Sequence, residues 1–340
     1  MSSLRCGAAL NRGLTEAMAA DERVYLLGED VLDPYGGAFK ISTGISDRWP
    51  DRVISTPISE ASLVGIAAGM AIQGYRPVLE IMFGDFITLG FDQIVNGISK
   101  FREMYNDQVR LPLVVRTPMG GRRGYGPTHS QSLEKFLIGV PNITVVATSE
   151  IHDLGAMMRA AVEDDEPVFL VENKVMYGRP NRRPESGRLD GFSVRESDGP
   201  YPALTLSASG FSAGTATIAT YGGTVPLAID AATELIMEHE VFCEIVVLGS
   251  LLPLDLDPVL ESVERTGALI VAEEGTMTAG IGAEIAARVQ EAAWDDLRAP
   301  VRRVAAADGI IPSAPGLEDA MLPSVPELVD AALRCEAARV

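Results

Sequence analysis

The feature that most restricts what this chain can fold into is an alternation. Short apolar runs of strand length take turns with longer stretches of helical period. Runs at 24–27, 77–83, 111–116, 143–147 and 168–172 read as strands, and 60–73, 91–104 and 150–163 as helices. Strands that alternate with helices pair in parallel and carry helices on both faces of a sheet. From 178 to 214 the pattern breaks, and RPNRRPESGRLDGF is rich in Pro, Gly and Arg without periodicity, which predicts a linker. The alternation resumes with strands at 215–220, 243–248, 268–272 and 300–304 and helices at 225–238, 256–265, 282–293 and 325–335. The expectation is an α/β protein of two doubly wound domains, residues 1–180 and 205–340, joined by a linker at 181–204. A length of 340 residues fits about two domains. No short internal repeat is visible.

Composition narrows the function classes. With 47% hydrophobic and 22% charged residues the chain has material for buried cores. The net charge of −19 argues against binding nucleic acid or an anionic membrane by bulk electrostatics. Three cysteines, Cys6, Cys243 and Cys335, form neither a disulfide framework nor a Cys-x-x-Cys zinc pair. Three histidines, His129, His152 and His239, are too few for a histidine-rich metal centre, so no metal ligands are assigned. The opening MSSLRCGAALNRG has no apolar signal core, and no run of eighteen apolar residues occurs. The expectation is a cytoplasmic protein with reduced thiols.

In open α/β sheets ligands bind beyond the carboxyl ends of strands. That rule selects Gly28-Glu29-Asp30, Gly84-Asp85-Phe86, the stretch 117–130, and the helix start Ser59-Glu60. From Ala61 to Ile72 that helix is apolar almost all round, which predicts burial. Glu60 at its first turn has two readings: a carboxylate that complements the helix dipole beside a Ser59 cap, or a buried acid able to hand a proton to a ligand. MGGRRGYGPTHSQSLE, residues 119–134, is a glycine-rich loop ending at His129, with a helix expected near Ser130-Gln131. Its glycines allow close approach to a ligand, and histidine is the usual proton carrier at neutral pH. It is read as functional over a plain surface turn. His152 and His239, on expected helices, are read as incidental. Glu29, Asp30, Asp85 and Phe86, taken singly, are equally well a solvated pair, a turn cap and core. TAGIGAEIAARV from Thr278 lacks the third glycine and the following acid of a dinucleotide loop and is rejected as one. No Gly-Lys-Ser/Thr phosphate loop and no Gly-x-Ser-x-Gly elbow occurs.

Taken together, these segments resemble the beta subunit of the two-chain thiamine-diphosphate-dependent 2-oxo acid dehydrogenases: the pyruvate, branched-chain and acetoin enzymes. LGEDV at 27–31, TPISEASLVGIAAGMA at 56–71, EIMFGDFITLGFDQIVN at 80–96 and GYGPTHSQSLE at 124–134 carry the likeness in the first half. IATYGG at 218–223, LLPLD at 251–255, VAEEG at 271–275 and GAEIAARV at 282–289 continue it. The resemblance implies a thiamine-pyrimidine-binding domain followed by a transketolase C-terminal-like domain. It implies that Glu60 hydrogen-bonds a ring nitrogen of the cofactor's aminopyrimidine, that Glu29 lies near the cofactor, that Phe86 packs on the pyrimidine, and that His129 handles protons or positions substrate and acyl acceptor.

The chain contains no Gly-Asp-Gly, the motif with which thiamine enzymes usually hold the diphosphate through Mg²⁺. The resemblance therefore implies an alpha subunit that holds diphosphate and metal, an α₂β₂ heterotetramer, a lipoyl-bearing acyltransferase as acceptor, and a small 2-oxo acid as substrate. A split transketolase-like enzyme moving a ketol or acyl unit to a carrier protein, and a non-catalytic stabilising subunit, are the alternatives. There are departures. Of Ala161, Asp164 and Glu166, which match a potassium site of some relatives, only Asp164 keeps the expected character. Val247-Leu248-Gly249-Ser250 replaces an Asp-Leu-Arg-Thr string. Arg122 and Arg123 stand where smaller residues are common, and are read as a solvent-facing pair or as contacts to a substrate anion.

Overall fold

The computed structural model describes residues 4–210 and 214–338. The chain folds as two compact units, 1–119 with 136–181, and 120–135 with 182–340. The glycine-rich loop thus belongs with the second unit although its sequence lies inside the first.

The first unit holds six parallel strands in the spatial order Thr144–Ala147, Val168–Asn173, Val114–Met119, Arg76–Glu80, Val24–Gly28 and Val53–Ser55. The middle strands are buried on both faces, as apolar runs in a helix-covered parallel sheet must be. Two covering helices, Cys6–Ala20 and Leu154–Glu163, cross where glycine meets glycine. A Cβ on Gly13 would lie 2.6 Å from Gly155 O, so only glycine permits that approach. Asp153 caps the second of these helices by accepting from Ala156 N–H at 3.0 Å.

Two expected helices change form. Residues 91–104 are not one α-helix: Gln93–Ile98 is a π-helical turn and Ser99–Met104 is α-helical. The helix expected at 150–163 starts only at Leu154. His152 therefore sits in the turn before it, buried, with its ring 2.9 Å from Ser149 Oγ.

The second unit is built on a mixed sheet in the order Arg302–Ala306, Leu269–Thr276, Ala216–Thr220, Cys243–Val247, Leu204–Ala208, Phe192–Glu196 and Arg188–Leu189. The first four are parallel and the last three antiparallel. The stretch expected to be a linker is thus largely an antiparallel meander on the sheet's edge. Its polar, turn-rich sequence reads as loop because one face of Phe192–Glu196 is left to solvent. Helices Val225–His239, Asp257–Thr266, Ile281–Ala292 and Val325–Ala337 cover this sheet. The last starts with a Ser324/Glu327 capping box and Pro326 in its first turn. Gly267, at φ 76°, ends Asp257–Thr266 in the left-handed conformation.

Candidate functional site

Three neighbouring parallel strands of the first unit end at Gly28, Glu80 and Met119, and the candidate residues follow them. Glu29 is the first residue beyond Val24–Gly28 and is 5% exposed. Its carboxylate accepts from the Ser59 backbone N–H, and Oε1 is buried with no hydrogen-bond partner among the described residues. Glu60 opens helix Glu60–Ile72 and is 4% exposed. The structure brings these two acids together. Burial first, and the Glu60 charge second, push the Glu29 carboxyl up from its ordinary range. Ser59 does not cap the helix with its side chain; its hydroxyl donates to Ser62 Oγ at 2.9 Å. What Ser59 gives the site is its main-chain N–H, spent on Glu29.

Phe86 lies in the 3₁₀ segment Gly84–Gly90, half-buried, with its ring edge-on to Phe83 at a centroid distance of 5.9 Å. Phe83 in turn meets Phe39 at 5.5 Å, and Phe39 meets Tyr177 at 5.3 Å. The segment packs on the start of the Glu60 helix: a Cβ on Gly90 would lie 2.8 Å from Val64 Cγ2 and 3.4 Å from Glu60 O. Asp85 is buried.

Beneath this lies a buried ionic network that motif reading missed. Arg116 donates to Glu80 and, in a fork, to Glu172 (Nε to Oε1 3.0 Å, Nη2 to Oε2 2.5 Å), and Tyr177 OH donates to Glu172 Oε2 at 2.6 Å. These residues tie the neighbouring strands Arg76–Glu80, Val114–Met119 and Val168–Asn173, the first of which ends below Phe86. Burial opposes the Arg116 charge, yet Glu172 and Glu80 together raise its pKa; Glu80 is itself raised by burial. A signal was present in the sequence, since charges inside apolar strands need partners, but it does not say which.

The loop of the second unit is clasped by carboxylates. Glu274 Oε1 accepts from Gly121 N–H at 2.7 Å, Glu318 Oε1 from Arg122 N–H at 2.9 Å, and Glu318 Oε2 from Gly124 N–H at 3.0 Å. The loop continues to His129, half-buried, whose Nδ1 lies 2.9 Å from Thr128 Oγ1. No α-helix begins at Ser130-Gln131; the first helical turn is the 3₁₀ segment Glu134–Phe136. Glu134 Oε1 accepts from Tyr221 OH at 2.8 Å, and the same hydroxyl lies 3.3 Å from Glu273 Oε2. Burial first, and Glu134 second, push Glu273 up to about 7. Burial likewise raises Glu134.

The glycines at the start of helix Ile281–Ala292 serve Glu273 rather than a dinucleotide. Gly282 N–H donates to its Oε1 at 2.9 Å, and a Cβ on Gly282 would lie 2.6 Å from that oxygen. Arg122 is not a free solvent-facing residue: Nη2 donates to Pro323 O at 2.5 Å and Nη1 lies 3.2 Å from Asp319 Oδ1. Arg123 is exposed, with Nη2 3.3 Å from Tyr125 OH. His239 is the exposed last residue of its helix. At the segment compared with a potassium site, Val162 O and Asp164 O accept from Arg76 Nη1 at 3.0 and 2.8 Å. Glu166 there pairs with Arg102 and Arg110 at 2.5 and 2.7 Å.

Comparison with known proteins agrees with this layout. Residues 2–180 match the transketolase pyrimidine-binding domain and residues 213–328 the transketolase C-terminal domain. The chain is 39% identical over 315 residues to the pyruvate dehydrogenase E1 component subunit beta of Leifsonia xyli, covering 92% of this chain and 89% of that one. It is 36% identical over 313 residues to the 3-methyl-2-oxobutanoate dehydrogenase subunit beta of Mycobacterium tuberculosis, covering 92% and 86%. A solved split-gene transketolase, an inactive beta4 tetramer, superposes with a TM-score of 0.73 over 99% of this chain and all 100% of that one; at 21% identity the likeness is one of fold. With both domains matched and such identity along nearly its whole length, the chain belongs to the family of E1 beta subunits of the 2-oxo acid dehydrogenases.

Proposed function

We propose that this chain is the β subunit of the decarboxylating component of a 2-oxo acid dehydrogenase. It works with an α subunit in an α₂β₂ heterotetramer and passes the acyl group to a lipoyl-bearing acyltransferase. Thiamine diphosphate, when bound, supplies the carbon nucleophile and electron sink that a 2-oxo acid needs to lose carbon dioxide. The observation that carries this reading is Glu60: a carboxyl buried at a helix start, beyond the strand ends, beside a second acid with an unpartnered oxygen.

The residues present fit the pyrimidine end of that cofactor. Glu60 would hold a proton at a ring nitrogen, Glu29 Oε1 would accept from a ligand N–H, and Phe86 would lend an aromatic face. His129 would move a proton at the oxo acid or at the acceptor sulfur. No Gly-Asp-Gly occurs in the chain, so Mg²⁺ and the diphosphate fall to the α subunit.

Helix Glu60–Ile72 supports a partner chain. Leu63, Val64, Ala67 and Ala71 are buried, but Ile66 and Ile72 are 51% and 37% exposed, and Ile58 before the helix is 80% exposed. An apolar helix face left in water marks a surface that something covers. Among the described residues no helix is long and apolar enough to cross a membrane. Three free, buried cysteines support the reducing cytoplasm as its compartment.

The test is Glu60→Gln in the complex reconstituted with the α subunit. Gln keeps volume and a hydrogen bond but cannot shuttle a proton. Exchange of the cofactor's thiazolium proton for deuterium should be lost while the fold is kept; exchange at the wild-type rate would refute the role. Reductive acylation of lipoyl domains by the wild-type complex separates this reading from a transferase acting on another carrier.

A further inference from the structure

The loop 120–129 has an unusual backbone. Every second residue from Gly120 to Gly126 takes a positive φ: Gly120 92°, Arg122 63°, Gly124 68° and Gly126 77°. Alternation of left-handed residues with others turns successive main-chain N–H groups toward one side, which makes a concave anion site. Here the anion is part of the protein. Glu318 takes the Arg122 and Gly124 N–H groups, one on each oxygen, at 2.9 and 3.0 Å, and Glu274 takes Gly121 N–H at 2.7 Å. Glu318 is 1% exposed. Its charge rests on those amides, with no arginine or lysine paired to it among the described residues.

The fit leaves no slack. A Cβ on Gly121 would lie 2.7 Å from Leu322 Cδ1 and 3.1 Å from Glu318 Oε1. Ser313, just before the short helix Pro315–Asp319 that carries Glu318, closes on the loop from beneath. Its carbonyl would lie 3.2 Å from a Cβ on Gly124 and its Cβ 3.3 Å from one on Gly126. The Arg122 side chain returns to Pro323 O and Asp319 from the same stretch. Arg122 is not a glycine, and it holds a left-handed conformation that a long side chain adopts only when its surroundings determine it.

We infer that Glu318 is a positioning residue for acyl transfer: its carboxylate locks the 120–126 backbone so that His129, three residues beyond, is presented in one place. Its role as a positioning residue rests on the function proposed for His129. Glu318 touches main-chain amides, not a reacting atom. Charge-assisted bonds to two amides of a glycine-rich segment hold it where side-chain packing cannot. Losing them frees the loop without touching Glu29, Glu60 or Phe86.

The experiment uses the complex reconstituted with the α subunit, with Glu318→Ala and Glu318→Gln. Gln keeps one acceptor oxygen and the shape, so it should retain part of the hold and covers the case in which the alanine variant does not fold. Loop order is read by trypsin, since exposed Arg123 offers a cleavage point inside the clasp. Function is read in two separate steps, thiazolium deuterium exchange and acyl transfer to a lipoyl domain. The expected result is tryptic cleavage at Arg123 faster by about tenfold or more in Glu318→Ala. Acyl transfer should be slower by about tenfold or more, with the glutamine variant between, and deuterium exchange should stay within about twofold of wild type. In a His129→Ala background Glu318→Ala should cost no further transfer rate. Unchanged cleavage at Arg123 in both variants overturns the clasp, and a loosened loop with wild-type transfer overturns the positioning role. Wild-type transfer by His129→Ala alone instead removes the function proposed for His129, a separate measurement that leaves the tryptic result to stand or fall by itself.

Discussion

Replacing Glu273 by glutamine should make the protein more stable, by an amount that grows as pH rises from the acid range to neutrality and then holds. Glu273 is 1% and Glu134 2% exposed, and both carboxyls reach the single hydroxyl of Tyr221. Tyr221 donates its one proton to Glu134 Oε1. A protonated Glu273 can then donate to the tyrosine oxygen, which completes a chain of bonds carrying one negative charge. A deprotonated Glu273 has no donor there and faces Glu134 across the ring hydroxyl. Burial and that repulsion lift its pKa from 4.5 to about 7.

A rise of that size is worth about 3 kcal/mol, at ~1.4 kcal/mol per pKa unit. The sign follows from proton counting. The unfolded chain loses this proton near 4.5, whereas the folded chain keeps it up to about 7. Between those values the folded state binds more protons, so stability falls by about 1.4 kcal/mol per pH unit as pH rises, then levels off. Glutamine stays neutral throughout. Its carbonyl can accept from Gly282 N–H and its amide can donate to Tyr221. The variant should therefore match wild type near pH 4 and exceed it by about 3 kcal/mol from near pH 7 upward, roughly 6–10 °C in melting temperature for a unit of this size. Melting followed by circular dichroism at several pH values tests this, read as variant minus wild type so that other titrations cancel. A pH-independent difference, or a variant less stable than wild type near pH 8, would show that the proton is not held there.

Three further outcomes are expected. The chain without its α partner should bind thiamine diphosphate weakly at best in calorimetry; tight, magnesium-dependent binding by this chain alone would sink the two-chain reading. His129→Ala should slow acyl transfer by about 10²- to 10⁴-fold, the usual loss for a positioned proton carrier, and nearly spare thiazolium exchange; stopped-flow separation of the steps measures it. Arg116→Met should destabilise the first unit by roughly 3–5 kcal/mol, because Glu80 and Glu172 would be left as buried charges without a cation; an unchanged denaturation midpoint would mean that the network carries no such energy.

Much of the frame was legible because it depends on local pattern. The strand that ends at Gly28 and the helix that opens at Glu60 both announce themselves by apolar runs flanked by polar residues, and the structure places them there. What was not legible depends on partners far away in sequence. The expected strand at 268–272 stops before Glu273-Glu274, because adjacent acids normally face water. The strand in fact runs on to Thr276, since Tyr221 and the amides of Gly282 and Gly121 receive those carboxylates. Glu318 drew no reading from its own neighbourhood, because the amides it receives lie almost two hundred residues earlier. Phe192–Glu196 was hidden differently: an edge strand with a wet face has too few apolar residues to outweigh its turn-forming neighbours. His152 was placed on a helix because Asp153, a better cap, stood one residue further on.

The two carboxylate systems suggest why one chain would not suffice for this chemistry. Glu29 and Glu60 are acids brought together with no arginine or lysine paired to either among the described residues, and the Glu29 carboxyl is pushed up by burial and by its neighbour's charge. Such a pair is a standing cost unless a ligand with donor groups enters, so ligand binding relieves what folding leaves strained. If the α subunit supplies the metal and diphosphate grip while this chain supplies the acids, neither half alone binds the cofactor well. Each half then raises the other's affinity, because a ligand that binds only the assembled form stabilises it by RT ln(1 + [L]/Kd). The exposed face of helix Glu60–Ile72 lies on the same element as Glu60. Covering that face and filling the site are therefore coupled through one rigid helix. On this account, cofactor should tighten the association of the two chains in wild type and do so much less in Glu60→Gln, which keeps the apolar face and loses the proton donor. Sedimentation of the mixed chains with and without cofactor measures this, and equal tightening in wild type and variant would break the coupling.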